Sequence, residues 1–329
     1  MAMDYSSAEN SRIFHPSTAE AAASVSGSAA VAACAAMAFF YVAILYSPTL
    51  ILRLPPPASL DSFMIRRFAC AVVSSIASVI ACILLLGQGK FDDFPSILGV
   101  LGIRSDHLWN SVVLPLLLTS LLYAGSFVSK TWKLISSKKE EGGENFCYGL
   151  EICGQRFMDW VCAHARNVMA WRNYVVAPFT EELVFRACMI PLLLCGGFGT
   201  YTIIFLSPVF FSLAHLNHFL ELYCQQRYCF MKAFLIVGLQ LGYTVIFGWY
   251  ASFFFIRTGN LIPPIVAHIF CNVMGLPVLW SRRTKGTATV AAAAGLICFL
   301  WLLFPATNPD MYNDSRDGCN CWHRYCSWN

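Results

Sequence analysis

Of the 329 residues, 57% are hydrophobic and only 12% are charged, about half the charged fraction of an average soluble domain. This composition excludes a soluble globular protein, and a net charge of only +4 predicts no nucleic-acid partner. The lipid bilayer is therefore the expected solvent, and charged residues inside apolar segments are the most informative positions.

Eight apolar segments have about the length that crosses the hydrocarbon core of a bilayer. They cover residues 29–52, 68–87, 108–128, 174–197, 201–216, 232–256, 261–280 and 287–304. The chain is therefore predicted to be an all-α, polytopic integral membrane protein with about eight transmembrane helices.

Two connecting regions are more polar. Residues 138–146 (KKEEGGENF) have the composition of a solvated loop. Residues 152–172 carry apolar side chains along one face and are predicted to form a helix in the membrane interface. With this topology fifteen Lys and Arg residues lie on one side of the membrane and six on the other, so the side with fifteen is expected to face the cytosol.

Three charged residues lie well inside a predicted span, and all occur in the stretch VVAPFTEELVFRACMIPLLL. Glu182 and Arg186 are four residues apart, so they share a helix face and can form an ion pair. Glu181 is rotated by about 100° from Glu182 and has no such partner, which suits a group that accepts and returns a proton. A structural ion pair beside a carboxylate that faces water is the alternative.

Two histidines and one asparagine of the later spans complete a polar set. His215 lies near the predicted cytosolic end of its apolar segment. His268 and Asn272 are one helical turn apart in a later apolar segment. His218, closer to a helix end, is interpreted as structural. The topology brings Glu181, His215, His268 and Asn272 toward one cavity that is open to the cytosol.

This set of side chains suits amide hydrolysis without a covalent intermediate. A carboxylate beside an imidazole can deprotonate water, while a second imidazole and an amide can donate to a developing oxyanion. No GxSxG or HExxH motif is present. Glu181, His215 and His268 also match a catalytic zinc ligand set, so a zinc-dependent membrane protease stays open. A proton-coupled membrane transporter that uses the same residues as a relay is a further alternative.

Three motifs lie on these helices in order: EExxxR at Glu181, Glu182 and Arg186, FxxxH at Phe211 and His215, and HxxxN at His268 and Asn272. In these motifs the chain resembles the type II CAAX prenyl endopeptidases of the glutamic intramembrane protease family. The strings APFTEELVFRACMIPLLL and FIRTGNLIPPIVAHIFCNVMG resemble the eukaryotic members and indicate a plant enzyme.

The resemblance implies an intramembrane endopeptidase of the endoplasmic reticulum that removes the last three residues of isoprenylated CAAX proteins. The implied partners are membrane lipid and farnesylated or geranylgeranylated proteins such as small GTPases, with no cofactor and no metal. By the same resemblance Glu181 activates water together with His215. His268 and Asn272 form the oxyanion site, and Glu182 and Arg186 support it.

The predicted organisation has four parts. A polar tail (1–28) precedes the amino-terminal transmembrane helices with the charged loop and the interfacial helix (29–173). A catalytic transmembrane core (174–280) follows, and the last transmembrane helix leads into a Cys-containing tail (281–329).

Overall fold

A computed structural model describes residues 25–86, 94–140, 155, 158–159, 161–216, 219, 221–225, 227–281, 284 and 286–313. Within these residues the regular secondary structure is helical and no strand occurs, which confirms the predicted all-α class. The polar tail up to residue 24, His218, most of the predicted loop at 138–146 and the cysteines of the carboxy-terminal tail lie outside the described residues.

The helices are labelled in chain order. They are α1 (Gly27–Leu50, including a 3₁₀ turn at Ile44–Tyr46), α2 (Leu60–Leu86), α3 (Phe94–Val100), α4 (Leu108–Leu122), α5 (Ala124–Glu140), α6 (168–195), α7 (Thr200–Ala214), α8 (Phe230–Thr258), α9 (Ile262–Met274) and α10 (Thr287–Leu303). Short π-helical and 3₁₀ turns occur at Glu221–Gln225, Pro305–Thr307 and Pro309–Met311.

A helix occurs in each of the eight predicted apolar segments, but the helices differ in length. Among the described residues α1, α2 and α8 are long and apolar enough to cross a membrane, and the bent pair α4 and α5 gives a fourth candidate if it counts as one span. Helices α7, α9 and α10 are apolar but shorter. The chain thus has several candidate membrane spans, and the number eight stays a prediction.

The segment predicted as one span at 108–128 is bent by 74° between α4 and α5. Tyr123 leaves the helical conformation at the bend, and its hydroxyl group donates to the carbonyl oxygen of Gly275 at 2.7 Å. A Cβ atom at Gly125 would lie 2.5 Å from the carbonyl oxygen of Val278, so only glycine fits this close approach. The expected span at 108–128 is therefore two helices that meet at a bend, because long-range contacts at this point interrupt the apolar run.

The interfacial helix predicted to run to residue 172 is interrupted before its end. Residues 152–154, 156–157 and 160 lie outside the described residues, and the helical stretch that follows stops before Asn167. The side chain of Asn167 accepts a hydrogen bond from the Met169 backbone N–H at 2.8 Å, so it caps a new helix that begins at Val168.

Helix α6 forms the centre of the fold. Every residue from 184 to 195 is buried, and the helix packs against α1, α2, α7, α8 and α9. A helix that is apolar on all sides is stable only when neighbours surround it. Two π-helical segments, Arg172–Val176 and Leu183–Cys188, flank its α-helical turn Ala177–Glu182. Such segments change the helical register and are frequent at functional sites.

Candidate active site

A closed ionic network lies at the centre of the molecule. Glu182 and Arg186 are both fully buried. The Arg186 Nη1 group donates to Glu182 Oε1 at 3.2 Å, and Nε lies 3.1 Å from Glu182 Oε2. The ion pair expected from their four-residue spacing is therefore present, although a π-helical segment begins between the two residues.

His268 of α9 connects this pair to the neighbouring glutamate. Its Nδ1 atom lies 2.7 Å from Glu182 Oε1, and its Nε2 atom lies 3.8 Å from Glu181 Oε2. An ionised carboxylate only accepts hydrogen bonds, so with Glu182 ionised the Nδ1 atom carries the hydrogen. The contact with Glu182 thereby orients the imidazole and directs Nε2 toward Glu181.

Aromatic rings enclose the network on the side of α7 and α8. The Arg186 guanidinium carbon lies 4.5 Å from the ring centre of Phe211 and 5.7 Å from that of Phe247. Phe247 also packs on the His268 ring, with 4.9 Å between the ring centres. These rings exclude water and contribute cation–π attraction, which strengthens the ion pairs beside them.

Glu181 and His215 line one open cavity of about 90 Å³, enough for several water molecules. The Glu181 side chain is 16% exposed, whereas Glu182 has no exposure at all. His215 follows the last residue of α7, and its Nδ1 atom lies 2.9 Å from the carbonyl oxygen of Phe211. Since a carbonyl oxygen only accepts, Nδ1 donates here, and in the neutral ring Nε2 is the basic nitrogen.

The Asn272 side chain contacts the backbone of α6. Its Nδ2 group donates to the backbone carbonyl oxygen of Asn173 at 2.8 Å, within the first π-helical segment of α6. Neither Asn272 nor His268 lines the cavity that Glu181 shares with His215. The predicted residues thus form a contact network (Glu181, Glu182, Arg186 and His268), a cavity pair (Glu181 and His215) and an amide that belongs to neither (Asn272).

Within the described residues, no group of three or more His, Cys, Asp and Glu side chains is arranged to hold a metal ion. The alternative ligand set of Glu181, His215 and His268 is therefore not assembled in this part of the chain.

Several residues that line the cavity were not singled out by the motifs. The Tyr41 hydroxyl group lies 2.9 Å from the Thr180 hydroxyl group, and Arg67 and Arg172 complete the polar lining. Their contribution depends on how α1, α2 and α6 pack, which motif spacing does not encode. The available signal was the position of both arginines on the predicted cytosolic side, close to apolar runs.

Comparisons with known proteins identify relatives along most of the chain. Residues 164–274 match the family model described as Type II CAAX prenyl endopeptidase Rce1-like. CAAX prenyl protease 2 of Arabidopsis thaliana is 57% identical over 308 residues, which cover 93% of this chain and 98% of that protein. The Homo sapiens protein of the same name is 34% identical over 289 residues, covering 86% of this chain and 82% of that protein.

The Caenorhabditis elegans protein with this name is 31% identical over 248 residues, covering 73% of this chain and 84% of that protein. No solved structure gives a significant match. The expected resemblance is confirmed, and the similarity to the Arabidopsis protein is consistent with a plant enzyme. The matched segment contains Glu181, Glu182, Arg186, His215, His268 and Asn272. The chain therefore belongs to the type II CAAX prenyl endopeptidase family.

Proposed function

We propose that this chain is an intramembrane endopeptidase that removes the carboxy-terminal aaX tripeptide from isoprenylated CAAX proteins, with water activated by Glu181 and His215. Its substrates are farnesylated or geranylgeranylated proteins, small GTPases among them. The activity follows from family membership. The main support for the mechanism is that Glu181 and His215 line the same cavity. The buried network of Glu182, Arg186 and His268 lies directly beside Glu181.

In the first step, a water molecule in the cavity loses a proton to the Glu181 carboxylate. His215 holds the same water by accepting a hydrogen bond at Nε2, because its Nδ1–H is directed at the Phe211 carbonyl oxygen. The hydroxide attacks the carbonyl carbon of the peptide bond after the prenylated cysteine. Glu181 then returns its proton to the leaving amine, so the carboxylate is regenerated as the tripeptide is released.

The tetrahedral intermediate carries a negative oxygen that needs donors. His268 supplies one from Nε2 in its imidazolium form, which Glu182 stabilises from the Nδ1 side at 2.7 Å. The amide hydrogen of Asn272 that is not donated to Asn173 supplies a second. Arg186 holds the Glu182 side chain in place through their ion pair.

The enzyme acts at the endoplasmic reticulum membrane with its cavity toward the cytosol. The excess of Lys and Arg residues on the predicted cytosolic side supports this orientation. A prenyl chain partitions into lipid, so the substrate can approach laterally while its peptide end enters from water.

The test compares purified wild-type protein with Glu181→Ala and His268→Ala on a farnesylated CAAX peptide, with tripeptide release followed by mass spectrometry. Both variants should lose at least a hundredfold in kcat, the usual contribution of a general base or an oxyanion donor.

Asp61→Ala is the matched control, because this carboxylate is exposed at the start of α2, away from the cavity lining. It should keep wild-type activity. Retention of activity by Glu181→Ala would refute the assignment of the base. Full activity after exhaustive chelation would exclude catalytic zinc, whereas its loss would revive the zinc alternative.

A further inference from the structure

Two arginines line the cavity that contains Glu181 and His215. Arg67 projects from α2 and Arg172 from the start of the first π-helical segment of α6, and both side chains are partly buried. The Tyr41 hydroxyl group lies within electrostatic reach of Arg67, Arg172 and Glu181 together. With two permanent cations beside one carboxylate, this cavity favours an anionic group in addition to the reacting water.

The arginines are supported in ways that keep them in the cavity lining. The guanidinium carbon of Arg67 lies 5.4 Å from the ring centre of Phe63 one helical turn earlier, a cation–π contact. The backbone of Arg172 belongs to α6, in which Pro178, Thr180 and Glu182 are buried further along the helix. Arginine suits carboxylate recognition because its planar donors match the two oxygens.

The separation of the arginines from the reacting centre corresponds to a short peptide. Arg172 precedes Glu181 by nine residues on α6, roughly 13 Å of helical rise, and the long arginine side chain can shorten the gap. An extended tripeptide spans about 10 Å. A substrate with its scissile carbonyl at Glu181 can therefore extend its last three residues toward the arginines.

We propose that Arg67 and Arg172 bind the terminal α-carboxylate of the substrate and so set the three-residue distance between the cleaved bond and the chain end. The inference rests on the proposed endopeptidase function. The cavity then distinguishes a free carboxy terminus from an internal peptide segment, because an internal segment has no charge for the two guanidinium groups. Both arginines act in substrate binding and take no proton in the reaction.

The experiment compares two farnesylated CAAX peptides that differ only at the end, one with a free carboxylate and one with a carboxamide. The wild type should cleave the acid with a KM about tenfold to a hundredfold lower than that of the amide, the usual loss for a charge-assisted hydrogen bond. The Arg67→Gln/Arg172→Gln double variant should bring the KM of the acid up to that of the amide, with kcat changed less than threefold.

Arg66→Gln is the matched control, since Arg66 is adjacent to Arg67 but donates to the Pro55 carbonyl oxygen at 2.7 Å and does not line the cavity. It should keep the full preference for the acid. Arg67→Lys/Arg172→Lys should restore part of that preference, because the charges return without the planar donors. Full acid preference in the double Gln variant would overturn the inference.

A binding measurement separates this inference from the proposed function. Fluorescence anisotropy with the same two peptides and the Glu181→Gln variant reports affinity without turnover, and the acid should bind at least tenfold more tightly. Failure of the wild type to release tripeptide would refute the proposed function alone. Equal affinity for acid and amide would refute the role of the arginines alone.

Discussion

The two adjacent glutamates of the site lie in opposite environments. Glu182 is fully buried and contacts Arg186 and His268, whereas Glu181 is 16% exposed and lines the open cavity. The difference follows from the rotation of about 100° between successive residues of a helix. One turn of α6 therefore supplies both a fixed anion inside the protein and a carboxylate with access to water.

Amino-acid substitutions should also have different effects on stability in the two environments. In the closed network each charge depends on its partner, because no water reaches the interior to replace a lost contact. On the cavity side water can solvate a group that loses its neighbour. Substitutions in the closed network should therefore reduce stability and activity together, whereas those on the cavity side should change stability only slightly.

The largest effect is expected for Arg186→Met. This change leaves the Glu182 carboxylate buried without its cation, so the free energy of unfolding should fall by about 3–5 kcal/mol, as measured by equilibrium denaturation in detergent micelles. Activity should be lost with it.

The double variant Glu182→Gln/Arg186→Met removes both charges and should regain at least half of the lost stability while staying inactive. As the cavity-side control, Glu181→Gln should change the free energy of unfolding by no more than about 0.5 kcal/mol. If Glu181→Gln and Arg186→Met lowered the free energy of unfolding equally, the proposed difference between the two environments would be wrong.

The contacts that sequence could predict in this site are the local ones. The Glu182–Arg186 ion pair follows from four-residue spacing on a helix. The hydrogen bond between Glu182 and His268 joins residues 86 positions apart and depends on the relative register of α6 and α9. The two π-helical segments of α6 alter that register, and no residue pattern in the sequence indicated them.

For the fold, too, the sequence predicted local features better than those that depend on long-range contacts. Apolar runs located a helix in each of the eight segments, because burial in lipid requires long apolar stretches with satisfied backbone groups. The 74° bend at Tyr123 was missed, since it depends on the Gly275 carbonyl oxygen and on close packing at Gly125. The break at Asn167 had a local signal, an asparagine before an apolar turn, that the apolar periodicity of the segment masked.

An intermediate effect is expected for Asn272→Ala, which tests a residue outside both environments. As an oxyanion donor, Asn272 should contribute about a hundredfold to kcat. Loss of its hydrogen bond to Asn173 should lower the free energy of unfolding by only about 0.5–1.5 kcal/mol. Asn173→Ala keeps the accepting backbone carbonyl and serves as the control. A kcat within threefold of wild type, with stability reduced, would assign Asn272 to packing of α9 on α6 alone.

The smallest effect is expected for Tyr41→Phe at the cavity wall. The single hydroxyl hydrogen of Thr180 is donated to the Val176 carbonyl oxygen at 2.7 Å, so the Tyr41 hydroxyl group is the donor in its 2.9 Å contact with Thr180. Its removal leaves one acceptor of Thr180 without that donor. Because the cavity can supply water, the free energy of unfolding should fall by only about 0.5–1.5 kcal/mol, with kcat within threefold of wild type. If Tyr41→Phe lowered the free energy of unfolding as much as Arg186→Met, water would not reach the cavity wall any more than it reaches the ionic network. Glu181 and Glu182 would then differ in their contacts and not in their access to water.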